Sequence, residues 1–187
     1  MSDGGKLHSC QKSQLATILE SLVTILDTEP PADVIIIDGS ALVNSLPPRS
    51  SKTFEDYAVN DVLPTAQAYS AKYKKTDIVF DVYLTSSLKF ETRSKRGRGV
   101  RRRVTSKGKL PTNWRNFLRD NDNKTELFNC LADTIGQIST SNMAIVTKEE
   151  EAVSNNCISL HDVVPCMHEE ADTRIFVHAR HATEEGS

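Results

Sequence analysis

Two short runs, Val34-Ile35-Ile36-Ile37-Asp38 and Asp77-Ile78-Val79-Phe80-Asp81, restrict this chain more than anything else in it. Each holds consecutive apolar residues, most of them β-branched, and closes on an aspartate. Apolar sequence without polar alternation suits a strand buried on both faces, the condition of a parallel sheet. Met143 to Val146 has the same character and is predicted as a third buried strand. The first run is expected to be the central one.

The segments between these runs change period. Leu15, Ile18, Leu19, Leu22 and Leu26 recur at helical spacing, which predicts a helix from about Gln11 to Asp27 that stops before Pro30 and Pro31. Phe54, Tyr57, Val62, Ala66, Tyr69 and Tyr73 predict a second over about Thr53 to Lys74, kinked or divided at Pro64. Further helices are expected over Thr112 to Arg119, over Asn123 to Ile138, and over Glu169 to Ala182 with Ile175, Phe176 and Ala179 inward. A shorter strand is expected near Cys157 to Leu160. Strands separated by helices imply an α/β fold, a mainly parallel central sheet with helices on both faces. Residues 1 to 10, polar and glycine-containing, are expected to be flexible, and 11 to 187 to form one domain.

Such folds bind ligands outside the carboxyl ends of their strands, which is where Asp38 and Asp81 fall. Two carboxylates on one rim repel unless a cation or proton joins them. Mg²⁺ and Mn²⁺ favour carboxylate, water and phosphate oxygens, and a pair of such ions activates water and stabilises a leaving oxygen. Glu170 and Asp172, in His168-Glu169-Glu170-Ala171-Asp172, extend the acidic set. Taken singly, each acid is as well explained as a cap or as a complement to a helix dipole. Their recurrence after two near-identical strands favours a site.

Charge is segregated along the chain. Between Lys89 and Lys109 stand ten Lys or Arg against one acid, Glu91, a net +9. The whole chain is at −2, so the remainder carries −11. Lys89, Arg93, Lys95, Arg96, Arg98, Arg101, Arg102 and Arg103 therefore form a candidate contact for nucleic-acid phosphates, with no base-reading spacing. A solvated loop and a nuclear-import signal are the other readings of the same block. Trp114 and Phe117 lie close by, and their helical spacing fits a core pair better than a base-stacking platform.

Val34 to Leu42 resembles the first strand of the PIN-like superfamily, in particular its flap endonuclease and XPG branch, where a metal-binding Asp precedes small residues. Ile78-Val79-Phe80-Asp81 resembles that branch's second strand, and the lysine and spaced arginines from Lys89 to Arg103 occupy the region that follows it. Glu169-Glu170-Ala171-Asp172 is similar to its internal acidic motif. The resemblance runs from about residue 33 to 183. It implies a divalent-metal-dependent endo- or exonuclease acting on DNA or RNA, with Asp38, Asp81, Glu170 and Asp172 as catalytic metal ligands for Mg or Mn, two ions if the site is complete. The alternative is a catalytically inactive module that binds nucleic acid or protein. Val82-Tyr83-Leu84 replaces the family's usual glycine and prolines, so the substrate-facing loop is expected to differ. The family carries another acidic strand after the acidic helix, and the fold is expected to be incomplete at the C-terminus.

Other classes lose ground on simple counts. No apolar run exceeds four residues, so neither a transmembrane helix nor a signal-peptide core is expected, and the protein is read as intracellular and possible in the nucleus. No glycine-rich phosphate loop, Gly-x-Ser-x-Gly elbow or dinucleotide fingerprint is present. Cys157, His161, Cys166 and His168 fit no standard zinc spacing, and buried cysteines with exposed histidines are preferred to a zinc site. The four cysteines are read as reduced thiols.

Overall fold

In a computed structural model of the chain, residues 2–3, 6–7, 12–23, 28, 31–83 and 99–185 are described. The chain divides into two units, Met1–Pro31 and Ala32–Ser187. The first holds β1 (Ser2–Asp3), paired antiparallel with β2 (Lys6–Leu7), and the helix α1 (Lys12–Ser21). The apolar side chains that predicted α1 are exposed, Leu15, Ile18 and Leu19 among them.

The second unit is an α/β fold around an open, mixed sheet of four strands among the described residues. β3 (Val34–Asp38) leads into α2 (Gly39–Ser45), and then a long helical run of α3 (Phe54–Tyr57), a π-helical turn (Ala58–Val62) and α4 (Leu63–Lys72) returns to β4 (Lys75–Val79). The expected break at Pro64 takes a specific form here. Proline has no N–H to give the preceding turn, and Pro64 sits in the first turn of α4 directly after the π-helical turn, where Leu63 N–H reaches back to Ala58 O. After α5 (Trp114–Phe117) and α6 (Asn121–Ile135), β5 (Met143–Lys148) turns into β6 (Glu151–Ser154), and α7 (Ala171–Glu185) closes the unit.

The sheet order is β3-β4-β5-β6, with β3 and β5 each parallel to β4 and β6 antiparallel to β5. Two expectations change. Among the described residues Val34–Asp38 is an edge strand and β4 lies between two parallel neighbours; accordingly β4 is buried throughout while β3 is only half-buried. The fourth strand is Glu151–Ser154 rather than Cys157–Leu160, because the turn after Lys148 folds β6 straight back on β5.

Side chains alternate across a strand, and β4 shows what covers each face. Ile78 belongs to the same buried core cluster as Leu127, Phe128 and Leu131 of α6, whereas Lys75 and Asp77 meet His181 and His178 of α7. Helices thus flank both faces. The α6 side holds the larger core, where Phe54, Phe117, Trp114 and Tyr57 form an aromatic chain with centroid separations of 5.5, 5.1 and 4.8 Å. Each large side chain buried there contributes about 1.5–3 kcal/mol. Phe117 is therefore a core residue, and Trp114 packs half-buried against that core.

The inward face of α7 is not the expected one. Phe176 is 75% exposed and Ile175 and Ala179 are half-buried, while Arg174, His178 and His181 are buried. Polar groups on β4 explain the rotation. Asp77 and Lys75 are buried in the sheet and need partners, and a helix that presents histidines at the matching positions supplies them.

Candidate functional site

Asp38 ends β3 and caps α2. Its Oδ1 accepts hydrogen bonds from Ser40 N at 2.8 Å and Ala41 N at 3.1 Å, satisfying two of the first amides of the helix. Oδ2 takes part in neither bond. Gly39 follows because no larger residue fits. A Cβ there would lie 2.3 Å from Phe80 Cδ1, and Phe80 is itself fixed by stacking on Phe128 at 4.4 Å.

Asp81, two residues beyond β4, joins all three sequence motifs. Its Oδ2 accepts from Ser40 Oγ at 2.8 Å and from the Tyr83 hydroxyl at 3.0 Å. Its Oδ1 accepts from Ala171 N at 2.8 Å, at the start of α7. The Asp-Gly-Ser turn, the second strand's acid and the Glu-Ala-Asp segment are thus linked through Ser40 and Asp81. Val82 N donates to Glu169 O at 2.8 Å and tightens the same junction.

Of the four expected ligands, Asp38, Asp81 and Glu170 are half-buried and Asp172 is exposed on the first turn of α7. Glu170 O accepts from Thr173 N and Arg174 N, so its backbone serves the helix start. Among the described residues, no group of three or more His, Cys, Asp or Glu is gathered around one point as a metal cage would require. Asp38 and Asp81 both contact Ser40, and a pair of hard carboxylates suits Mg²⁺, which binds through one or two carboxylates plus water and phosphate.

Several residues at this site carry no sequence signal of their own. A cleft of about 140 Å³ beside Asp81 is lined by Ser40, Asn44, Tyr83 and Lys124 among others. Lys124 Nζ lies 4.0 Å from the centre of the Tyr83 ring. Behind Asp81, the buried Arg174 donates from Nη1 to Phe80 O at 3.2 Å. Burial pushes its guanidinium down, against the opposing pull of Cys166, Asp81 and Glu150. The i, i+2 spacing of Asp81 and Tyr83 in extended chain is the one hint the sequence held.

The basic block divides. Lys89, Arg93, Lys95, Arg96 and Arg98 lie outside the described residues. Arg101 pairs with Glu126, stands 3.9 Å from Asp122 and donates to Asn123 Oδ1 at 2.9 Å. It belongs to a strap holding 99–104 on α6, in which Asn123 also binds Arg102 N and Val100 O, and Glu126 accepts from Val104 N. Arg102 and Arg103 are exposed.

The Cys/His set spreads over the surface and the core. Cys157 and His168 are exposed and Cys166 is buried. The ring nitrogens of His161 face Ser159 Oγ at 2.6 Å and Asp162 at 3.3 Å. Cys130, Cys157 and Cys166 are free thiols.

Comparison with family models, with curated proteins and with solved structures finds no match to this chain. No helix among the described residues is long and apolar enough to cross a membrane.

Proposed function

We propose that Ala32–Ser187 is a PIN-like nuclease domain, akin to the flap endonuclease and XPG branch, that hydrolyses phosphodiester bonds of DNA or RNA with Mg²⁺ or Mn²⁺. The observation that carries this reading is the convergence of three separated motifs on Asp81, through Ser40 Oγ and Ala171 N. A strand-end acid serving only as a local cap has no need of a partner 90 residues away. Bound divalent ions would supply an activated water and charge stabilisation at the leaving oxygen. Asp38 and Asp81 are the residues to hold them, with Glu170 and Asp172 as the remaining ligands. Ser40 and Tyr83 orient the Asp81 carboxylate, and the exposed arginines hold the strand by its phosphates. The same basic run supports a nuclear location.

The experiment is cleavage of labelled single-stranded, flap and hairpin DNA and RNA in Mg²⁺ or Mn²⁺ by the wild type, Asp38→Ala and Asp81→Ala. Metal-dependent cutting that both substitutions abolish, while both variants keep the wild-type circular dichroism spectrum and Asp38→Ala loses only the roughly 0.5–2 kcal/mol of its helix cap, is the expected result. Cutting that survives both substitutions sinks the assignment.

A second reading has its own observation. Both Asp81 oxygens already accept hydrogen bonds from the protein, which suits a structural junction in an inactive module that binds nucleic acid or protein. Salt-sensitive binding with no cutting in either metal selects it.

A further inference from the structure

Thr105 closes the run Arg101-Arg102-Arg103-Val104-Thr105, which the fold displays without helix or strand. We propose that Thr105 is a phosphorylation site for an arginine-directed serine/threonine kinase, and that its phosphate weakens the hold of this basic segment on nucleic acid. The site stands on these residues alone. Its consequence deepens the nucleic-acid reading above and rests on it.

Among the described residues, Thr105 is the one hydroxyl residue with arginines both two and three positions before it. Arg102 and Arg103 are exposed, and neither guanidinium is hydrogen-bonded or ion-paired among the described residues. Arg101, by contrast, is taken by Glu126. Two forked donors at fixed places before a hydroxyl suit a kinase that offers carboxylates to its substrate. The acceptor is equally open. Thr105 is exposed, its Oγ1 makes no hydrogen bond among the described residues, and with Ser106, Glu55 and Asp133 it helps line a cleft of about 400 Å³. Presenting it to a kinase breaks no sheet ladder, since Asn123 and Glu126 side chains hold the Arg102 and Val104 amides.

The transfer balances within kinase chemistry. Thr105 Oγ1 attacks the γ-phosphorus of ATP; the Oγ1–P bond forms as the bond from that phosphorus to the β–γ bridging oxygen breaks. ADP leaves, and the hydroxyl proton goes to the kinase's catalytic base. Residues 101–109 hold Arg101, Arg102, Arg103, Lys107 and Lys109 and no acid, a net +5. A phosphate of about −2 lowers that to about +3. On the cleft side it meets the carboxylates of Glu55 and Asp133, which do not neutralise it. The guanidiniums left to do so are those of its own segment, the same groups that hold a strand's phosphates.

The test has two stages. The full chain is incubated with Mg-ATP and a purified kinase selective for two arginines before Ser or Thr, and the product is mapped by mass spectrometry. The variants are Thr105→Val, Ser106→Ala and the double Arg102→Ala/Arg103→Ala. One phosphate on Thr105 is expected, lost in Thr105→Val, kept in Ser106→Ala and slowed at least ten-fold in the arginine double. The wild-type map needs no variant to fold. Phosphate found only on Ser106 or elsewhere, or none at all, overturns the site. In the second stage, phosphorylated and unmodified chains are titrated with a labelled single-stranded oligonucleotide by fluorescence anisotropy, in chelator and across a salt series. Two phosphate contacts neutralised make the log–log salt slope shallower by about 1.4 and weaken binding about 25-fold at 0.1 M salt. Equal slopes for the two forms overturn the consequence and leave the nucleic-acid reading standing. If the unmodified chain shows no salt-dependent binding, the nucleic-acid reading fails and takes the consequence with it, while the mass spectrum alone decides the site.

Discussion

Asp77 and His178 show what a single buried contact costs when half of it is removed. Their side chains are 0% and 2% exposed, His178 Nδ1 lies 2.8 Å from Asp77 Oδ2, and Asp77 Oδ1 has no hydrogen-bond partner among the described residues. Removing one member leaves the other buried and uncompensated, so His178→Ala is expected to cost about 3–5 kcal/mol in urea unfolding. The double variant Asp77→Val/His178→Leu should recover part of that loss; a double that is worse than the single would refute this account of the pair. Acid sensitivity is also set residue by residue. Hydrogen bonds from Thr53 and Lys52 hold the Asp56 carboxyl below its ordinary value. Partial burial pushes Glu126 up, but bonds from Arg101 and the Val104 amide outweigh it and leave it lowered. A carboxyl lowered on folding adds stability that is present above its unfolded pKa and lost as the pH falls through the folded one. Both contributions should therefore be intact at neutral pH and fade below about pH 4. The acid limb of a melting-temperature profile should flatten in Glu126→Gln. The Asp56 bonds come from Lys52 and Thr53 of its own segment, whereas the Asp77–His178 and Glu126 contacts join residues that only folding makes neighbours.

An element's place depends on what its neighbours leave unsatisfied. α7 has apolar residues that pointed to one inward face, yet it buries Arg174, His178 and His181 because β4 carries Lys75 and Asp77 on the surface it covers. Helical existence was legible from periodicity; rotation about the axis was not. The strap at 99–104 makes the same point. Asn123 is fully buried and binds Val100 O, Phe117 O and Arg102 N, at 2.8, 3.0 and 2.8 Å. Asn123→Ala strands those groups and is expected to cost at least about 2 kcal/mol. Hydrogen exchange at the Arg102 and Val104 amides should quicken with it, and unchanged protection there would show that the strap is held by something else.

For the whole molecule, the segregated charge matters more than the net value of −2. Counterion release makes phosphate binding fall with salt in proportion to the contacts made. Binding of single-stranded nucleic acid is expected to be strong at low salt and largely lost at several times physiological salt, whatever the base sequence. Affinity that is indifferent to salt would place the interaction elsewhere. Gly39 ties this scale to the smallest one. A methyl group there collides with Phe80, whose next residue is Asp81, so Gly39→Ala is expected to destabilise by about 1–3 kcal/mol and to weaken any cleavage out of proportion to its distance from the chemistry.

By itself the sequence determined that three apolar runs form strands, that helices lie between them, and that acids fall at the strands' carboxyl ends. These properties follow from local periodicity and from the few residues around each boundary. Only the tertiary structure decided that Val34–Asp38 takes an edge and β4 the middle, since two runs of equal apolarity pair equally well on paper. It also decided that Arg101 serves a strap and that Ser40, Tyr83 and Lys124 surround Asp81. Lys124 is 43 residues from Asp81 and Ala171 is 90. Contacts at such separations depend on how the layers close over one another, and no pattern confined to a single segment records them.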